Sequence, residues 1–337
     1  MNKLLTIAAL GSVIMLGATA AVSAENYYED KTVKIIVGAG MSGGTGMYAH
    51  LVKNFLGKHI PGNPSVIVQG KPGGGGVKLG NLLKAGKIDS TKGTVIALFP
   101  GSWTIPGSAI PQSKKVNFGP SDFVAVGSLL NEPTIIAIRS SMGIKTLDEL
   151  RNEVVKFAAS GFGASTNLVP QFLNSTFDTK TKTVLGYRGS GKMLVSIVKG
   201  ETDAAAISLS TLEKKKSLIA MTYLAAIGDK NTIPAGVPDI LDLVKDEDAK
   251  ILWQFFADSG TFGRTFVVYK STPLKQQKIL TKAFDDMIKD RRFISFTKKR
   301  KFPLNPVSAE STNDKLKSLA NLDPKIKSTL RSLMKKK

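Results

Sequence analysis

The chain of 337 residues contains no cysteine and only two histidines, His50 and His59. The lack of cysteine excludes disulfide bonds, a thiol nucleophile, a lipid-bearing cysteine and a thiolate metal site. Two histidines alone do not support a metal site either. Stability must therefore come from an apolar core, and a chain of this length can bury one and form two domains.

Acidic residues are also scarce. The sequence has 47 Lys and Arg against 26 Asp and Glu, a formal net charge of +21. Such a surplus suggests anionic partners. The lysines are spread along the chain, apart from runs at 214–216 and 335–337, and aromatic residues do not interleave with them as a single-strand nucleic-acid binder requires. The charge therefore indicates anionic partners other than nucleic acid.

Only one long apolar run is present, from Leu4 to Val22. It follows a short basic start and ends at Val22-Ser23-Ala24, a small-residue cleavage site. A membrane span is the alternative, but the run is rich in Ala, Gly, Ser and Thr. We predict a signal peptide over residues 1–24, cleaved after Ala24, and a mature chain exported to the periplasm.

Apolar runs alternate with helical patterns in two successive series. Strands are predicted at 33–37, 66–68 and 93–99, then at 134–138, 156–159, 183–185 and 204–207. Helices are predicted after most of these strands and at 275–290 and 315–320. The alternation predicts two α/β units with mostly parallel sheets, arranged as two lobes with a cleft between them.

The segment VKIIVGAGMSGGTG at 33–46 resembles two well-known motifs. Gly38, Gly40 and Gly43 give the GxGxxG pattern of dinucleotide sites. That motif requires an acidic residue about 20 positions later to hold the ribose, and no Asp or Glu occurs from Lys31 to Ile88. The sequence therefore argues against a nicotinamide cofactor, and no cofactor is predicted.

The same segment contains GxSxG, with Ser42 at its centre. In a hydrolase elbow the serine needs a base, and the triad acid lies between serine and histidine in the chain. His50 and His59 are the only histidines, and no acid separates them from Ser42. We predict that the protein is not an enzyme; an exported serine hydrolase using Ser42 remains the alternative.

Residues 186–193 read GYRGSGKM, which is GxxxxGK followed by methionine. A phosphate-binding loop of the Walker type needs Ser or Thr at this last position to supply an oxygen to magnesium. The thioether of Met193 is a poor ligand for so hard an ion. This segment is therefore not a nucleotide site.

The three motifs rejected above share one property: each is a glycine-rich loop at the start of a helix. Backbone N–H groups converge at such a helix N-terminus, whose partial positive charge favours anions. The chain has four such loops, at 38–46, 72–76, 160–165 and 186–192. Four in two successive α/β units predict a cleft for a small anion.

The ordered series of loops resembles the extracytoplasmic solute receptors of tripartite tricarboxylate transporters, the Bug-type family. Their PxxPGGGTD loop is similar to GAGMSGGTG at 38–46, their N-x-PGAGG segment to QGKPGGGG at 69–76, and their SGxGSxxHL turn to SGFGASTNL at 160–168. Their YKG and GxVD elements resemble YRGS at 187–190 and GETD at 200–203, and a GRPF-like element resembles GRTF at 263–266. The resemblance covers essentially the whole predicted mature chain.

The resemblance implies a two-lobed periplasmic binding protein of type II, a monomer that captures a small mono-, di- or tricarboxylate. It implies lobe I from 25–127 plus 256–337, lobe II from 128–255, and delivery of the ligand to membrane permease subunits. A membrane sensor kinase is the alternative partner. The residues expected to line the site are Met41, Ser42, Gly43, Gly44, Thr45, Gly73, Gly74, Gly75, Gly76, Ser160, Gly161, Phe162, Gly163, Ser165, Arg188 and Arg264.

The chain departs from the family pattern at three places. Gly46 stands where the family usually has Asp, and Asn167 stands where His is common. The run that ends at Gly76 has an extra glycine. These departures leave the identity of the ligand open.

Overall fold

The computed structural model describes residues 27–111, 114–162 and 164–335. The predicted signal peptide at 1–24 and the predicted site residue Gly163 lie outside these described residues. No helix in the described part is both long and apolar enough to cross a membrane.

The first sheet has the strand order β2-β1-β3-β10-β4. Its strands are β1 (Thr32–Val37), β2 (Ser65–Gly70), β3 (Val95–Leu98), β4 (Phe123–Ser128) and β10 (Thr265–Tyr269). β1 is parallel to β2 and β3, whereas β10 is antiparallel to β3 and β4, so that β10 alone runs against the others. β3 and β10 are buried along their whole length, as expected for strands covered on both faces.

The second sheet has the order β7-β6-β8-β5-β9. Its strands are β5 (Thr134–Arg139), β6 (Lys156–Ala158), β7 (Lys182–Val184), β8 (Ala204–Ser208) and β9 (Met221–Ile227). β6 is parallel to β7 and β8, and β5 is antiparallel to β8 and β9. Each sheet therefore contains one reversed strand, and the prediction of two α/β units with mostly parallel sheets is confirmed.

The helices cover the faces of these sheets. They are α1 (Gly44–Leu56), α2 (Val77–Lys84), α3 (Thr104–Gly107), α4 (Leu147–Leu150), α5 (Ser165–Phe177), α6 (Ser190–Val198), α7 (Leu209–Lys215), α8 (Ile240–Leu243), α9 (Glu247–Asp258), α10 (Leu274–Lys289), α11 (Arg291–Lys299), α12 (Ala309–Ala320) and α13 (Pro324–Lys335). In α1 the apolar spacing predicted from the sequence buries Tyr48, Leu51, Val52 and Leu56. We call each sheet with the helices packed on it a lobe.

Two segments that connect the lobes lie side by side, and a third segment, at Asn305, lies beside them. The chain leaves β4 through Leu129 and Leu130 to reach β5, and it returns to β10 through Arg264. The N–H of Leu129 donates to the carbonyl oxygen of Arg264 at 3.1 Å, and the N–H of Asn305 donates to the carbonyl of Leu129 at 3.1 Å. These hydrogen bonds hold the two connections together beside the cleft.

Aromatic packing also joins the lobes. The ring of Trp103, which precedes α3, stacks on Phe256 of α9 with 3.8 Å between centroids and 7° between planes. Trp253 of α9 is fully buried, and Leu330 of α13 lies in the same apolar cluster. The C-terminal helix α13 therefore packs against α9.

Candidate functional site

A cavity of about 540 Å³ lies between the carboxyl ends of the strands of the two sheets. Loops that follow β1, β2 and β3 line it from the first lobe, and loops that follow β6, β7 and β8 line it from the second. In open α/β sheets this edge is where ligands bind, because the loops and helix N-termini there face the crevice. The strand order therefore places the glycine-rich loops on opposite walls of one cleft.

Helix N-termini form much of the lining. The residues that precede or begin α1, α2, α5 and α6 all contribute to the wall. None of these four helices has a side-chain cap, and none has an acidic residue in its first turn. The first N–H groups of a helix have no partner within it, so these donors are left for a ligand or water.

Five helices away from the cavity are capped by side chains, whereas α10, which follows Pro273, has no side-chain cap. Side chains of Thr146, Asp239, Asp246, Asp290 and Ser308 accept hydrogen bonds from the first turns of α4, α8, α9, α11 and α12. Such caps satisfy donors that would otherwise need another acceptor. The four uncapped helices that meet at the cleft therefore have N-terminal donors available there for an anion.

Hydroxyl groups add further donors. Thr45, Ser102, Thr134, Ser165 and Ser190 line the cavity, and none of their hydroxyls hydrogen-bonds to another described residue. A hydroxyl can donate to a carboxylate oxygen without bringing a charge of its own. The wall therefore offers neutral donors from both lobes.

The loop at 73–76 has a backbone that only glycine adopts readily. Gly73, Gly74, Gly75 and Gly76 have φ values of 153°, 57°, 66° and 100°. A Cβ placed on Gly75 would lie 2.6 Å from the Cβ of Ala164, so the loop approaches the N-terminus of α5 across the cleft. This run of glycines lets two helix N-termini from different lobes face each other closely.

The other pair of loops meets through a direct hydrogen bond. The N–H of Gly40 donates to the carbonyl oxygen of Arg188 at 3.1 Å. Next to it, a Cβ placed on Gly43 would lie 3.2 Å from Ser190 Oγ, and one placed on Gly191 would lie 2.8 Å from the carbonyl oxygen of Ser42. The structure therefore has the two lobes closed on each other.

The lining is more cationic than anionic. Lys71, Lys78, Arg188 and Arg264 contribute to it, and Glu132 is its acidic member. Lys71, Lys78 and Arg188 are exposed and have no carboxylate at ion-pair distance among the described residues. The potential in the cleft is therefore favourable for an anion.

Arg264 is already engaged by the protein. Its side chain is 2 % exposed, and Nη2 lies 2.9 Å from Glu132 Oε1. Nη2 donates hydrogen bonds to Ser208 Oγ (3.0 Å) and Ser210 Oγ (3.1 Å). Nε of Arg264 and Oε1 of Glu132 have no hydrogen-bond partner among the described residues. The charge of Arg264 is thus largely neutralised by Glu132, which also accepts a hydrogen bond from the N–H of Ser210.

The ring of Tyr48 packs against the guanidinium of this ion pair. The guanidinium carbon of Arg264 lies 5.0 Å from the centroid of the Tyr48 ring, and the Tyr48 hydroxyl donates to the carbonyl of Pro303 at 2.7 Å. Burial raises the pKa of Tyr48, and this effect outweighs the opposing one of Arg264. The tyrosine is therefore a neutral donor that ties α1 to the segment before Asn305.

The predicted site residues divide into two groups. Those that line the cavity are Gly43, Thr45, Gly73, Gly74, Gly75, Ser160, Ser165, Arg188 and Arg264. Those that are described but do not line it are Met41, Ser42, Gly44, Gly76, Gly161 and Phe162. All four predicted loops nevertheless reach the cleft or its rim.

The residues outside the lining have other surroundings. Ser42 is exposed, and Phe162 is 76 % exposed. Gly44 leaves room for Arg264, Gly76 for Pro100, and Gly161 for Gly74, since a Cβ at each would lie within 3.2 Å of these neighbours. Met41 packs partly buried against the core of the first lobe.

Two of the three departures from the family pattern have a structural reason. A Cβ on Gly46 would lie 2.2 Å from the carbonyl oxygen of Met41, so this backbone has no room for an aspartate there. Asn167 is buried, and its Nδ2 donates to the carbonyl of Phe162 at 3.0 Å. Asn167 therefore shapes the loop at 160–164 and does not line the cavity.

Sequence reasoning missed several lining residues. Gly101 and Ser102 follow β3, and Ser208 ends β8, so their position after a predicted strand was a usable signal. Glu132 lies in an irregular link between β4 and β5 and reaches the cavity through the tertiary fold. Glu132 is a single acidic residue in this link, and it belongs to no sequence motif that would have identified it as part of the site.

The hydrolase alternative finds no support in the geometry. Neither histidine lines the cavity, and His59 Nε2 lies 3.3 Å from Asp290 Oδ2 at the start of α11. His50 is exposed on α1. Among the described residues no group of three or more His, Asp or Glu side chains could hold a metal ion.

No protein-family model and no curated protein sequence matches the chain. Solved structures do. The chain is similar to the periplasmic binding protein BugD, with 17% identity, 91% of this chain and 98% of that chain covered and a TM-score of 0.67. It is also similar to MatC of Rhodopseudomonas palustris with bound malate (16% identity, 90% and 99% covered, TM-score 0.66).

The chain is also similar to a protein of R. palustris with adipate. The identity is 14%, 89% of this chain and 97% of that chain are covered, and the TM-score is 0.66. These likenesses extend over about nine-tenths of this chain and nearly all of each neighbour. The neighbours are solute-binding proteins of the Bug and TctC type. The chain therefore has the two-lobed α/β fold of periplasmic binding proteins.

Proposed function

We propose that this protein is a periplasmic solute receptor of the Bug type that captures a small carboxylate between its lobes and delivers it to a membrane permease. The observation that carries the proposal is the convergence of four uncapped helix N-termini on one cleft. Malate and adipate in neighbouring structures support a carboxylate as the ligand. We also propose that the protein acts as a monomer and performs no catalysis.

Recognition would begin with the backbone. The free N–H groups at the start of α1 and α5 would donate to carboxylate oxygens, and the hydroxyls of Thr45 and Ser165 would add two more donors. Donors to a charged acceptor form stronger hydrogen bonds than donors to a neutral one. Affinity would therefore come from neutral groups in fixed positions.

Charge would attract the ligand and hold it at the rim. Lys71 and Lys78 flank the loop at 73–76, and Arg188 lies on the opposite lobe. These side chains are exposed, so their attraction is screened by salt and mainly assists encounter. Arg264 would act differently, since its pairing with Glu132 keeps it from neutralising the ligand directly.

Closure would be the working motion. The hydrogen bond from Gly40 to Arg188 and the contact between Gly75 and Ala164 join the two lobes across the cavity. A ligand that bridges both walls would favour this closed form over an open one by its differential affinity. The boundaries 25–127 with 256–337, and 128–255, remain our proposal for the parts that move.

The experiment is thermal unfolding of the protein from Glu25 onward, against a panel of mono-, di- and tricarboxylates with NAD and ATP as controls. A ligand at a hundred times its dissociation constant adds about 2.7 kcal/mol, which raises Tm by a few degrees. A shift with one carboxylate class is expected. A flat response to the whole carboxylate panel would contradict the proposal.

A further inference from the structure

Two basic runs meet outside the cleft. One is Lys214–Lys216, at the end of α7, and the other is residues 298–301, at the end of α11. Lys214 Nζ donates to the carbonyl oxygen of Arg300 at 2.6 Å and lies 3.6 Å from the centroid of the Phe302 ring. We call the seven cationic residues at 214–216 and 298–301 the basic seam.

The basic seam is built from both lobes. α7 follows β8 of the second sheet. α11 belongs to the first lobe, since Phe293 is fully buried in the same apolar cluster as Val33 and Phe284. Contact between the two runs therefore depends on how the lobes are arranged.

The charges of the basic seam are poorly compensated. Glu213 is the carboxylate beside it, pairing with Lys216 at 3.4 Å and accepting from the Tyr223 hydroxyl at 3.1 Å. Lys215, Lys298, Lys299, Arg300 and Lys301 have no ion pair with any described residue. Some exposed lysines elsewhere do have acidic partners, as in the pairs Lys230–Asp242, Lys250–Glu247 and Lys282–Asp286.

This arrangement opposes closure of the lobes. Like charges held together repel, and burial together with Arg300 and Lys215 lowers the pKa of Lys214. The side chains at 298–301 are exposed and have no ion pair with any described residue, although the guanidinium carbon of Arg300 lies 5.8 Å from the centroid of the Phe296 ring. An acidic group from another molecule would offset this repulsion between like charges.

We propose that the basic seam is a docking surface for an acidic protein surface and that it is assembled only when the lobes are closed. The contacts of Lys214 with Arg300 and Phe302 hold the two runs in one fixed arrangement. A protein can match such an arrangement with its own carboxylates, whereas a lipid surface presents mobile charges that would bind either form. The role of closure in signalling a bound solute rests on the function proposed above.

The test fixes closure without any ligand. Because the chain has no cysteine, the pair Gly43→Cys and Ser190→Cys gives a single disulfide across the cleft; a Cβ on Gly43 lies 3.2 Å from Ser190 Oγ, which suits this bond. The probe is a fluorescent peptide of glutamate residues, followed by anisotropy at low salt. The oxidised form is expected to bind it about tenfold more tightly than the reduced form.

The control is a matched pair of charge reversals in this locked protein. Lys215→Glu with Lys299→Glu alters one residue of the basic seam on each lobe, and Lys180→Glu with Lys275→Glu alters exposed lysines elsewhere. Only the first pair is expected to weaken peptide binding, by about tenfold. Circular dichroism and Tm check that both variants are folded.

Two results would overturn the proposal. Equal weakening by both charge-reversal pairs would show that the peptide responds to net charge alone. The other result concerns vesicles containing phosphatidylglycerol. If they compete with the peptide and bind the oxidised and reduced forms equally, the partner of the basic seam is a lipid surface and not a protein. Either result is independent of whether any carboxylate binds in the cleft.

Discussion

Arg264 and Glu132 form a buried ion pair, with 2.9 Å between Nη2 and Oε1, where the two main connections between the lobes run side by side. Arg264 also contacts Ser208 and Ser210 of the second lobe and the Tyr48 ring of the first. One side chain therefore links both lobes and both crossings. This arrangement fixes the floor of the cleft against which the lobes close.

Loss of one partner of this pair should be costly. Arg264→Met leaves Glu132 buried without its cation, and we expect the free energy of unfolding to fall by about 3–5 kcal/mol. The double variant with Glu132→Gln should recover part of this loss, because no uncompensated charge remains. Urea unfolding in a double-mutant cycle measures the coupling, and a cost below about 1 kcal/mol for Arg264→Met would disprove the role given to the pair.

Gly46 should tolerate no side chain. Its Cβ would lie 2.2 Å from the carbonyl oxygen of Met41, so Gly46→Ala must displace the loop at 41–46, at an expected cost of about 1–3 kcal/mol. Gly119→Ala is the control, since nothing lies within 4 Å of its Cβ position. Urea unfolding compares the two; equal stability of both variants would mean that the loop has room the structure does not show.

The hydroxyls of Thr45 and Ser42 should differ in importance. Thr45 lines the cavity and Ser42 does not. Thr45→Val should weaken binding of the carboxylate found in the panel by about 1 kcal/mol, roughly fivefold, whereas Ser42→Ala should leave affinity within error. Calorimetric titration measures both. A larger loss from Ser42→Ala, or an ester hydrolysis that this variant abolishes, would revive the hydrolase alternative.

Asp122 should make stability depend on pH. Burial raises the pKa of this carboxyl, but hydrogen bonds from Lys270, Lys84 and the N–H of Gly119 outweigh burial and hold the pKa below its ordinary value of 3.8. A lowered folded pKa stabilises the protein above the unfolded pKa, and that stability is lost as pH falls through the folded pKa.

We therefore expect Asp122→Asn to lower the free energy of unfolding by about 2 kcal/mol at neutral pH and by less near pH 3. Asp148→Asn is the control, because Asp148 is 84% exposed in its pair with Arg151 and should change little at either pH. Urea unfolding at both pH values gives the comparison. A cost of Asp122→Asn that does not change with pH would exclude the ionised carboxylate as the source of stability.

Local patterns predicted the parts of the site that local chemistry determines. The loops at 38–46 and 72–76 follow strands and open helices, so glycine spacing and apolar periodicity were enough to find them. β4, β9 and β10 were not predicted as strands, and the pairing of β10 with β4 joins residues more than a hundred positions apart. Glu132 reaches the cleft from the link that follows β4, so its position depends on that long-range pairing.

Steric detail was beyond sequence reasoning as well. The difference between Thr45, which faces the cavity, and Ser42, which faces solvent, depends on the turn that brings the carbonyl of Met41 over Gly46. Likewise, Arg264 was expected to line the site, and its guanidinium is paired within the protein with Glu132. Both features result from tertiary packing, and the spacing of residues along the sequence does not indicate either of them.

The most direct test of the central claim is the amide NMR spectrum of the protein selectively labelled with ¹⁵N-glycine, with and without the carboxylate that stabilises it most. The account predicts shifts at Gly43, Gly74 and Gly75, whose amides belong to the walls of the cleft. Gly143 and Gly236, in turns with nothing near their Cβ positions, should stay unchanged. Shifts confined to glycines outside the cleft, or none at all with a ligand that raises Tm, would contradict binding at the helix N-termini.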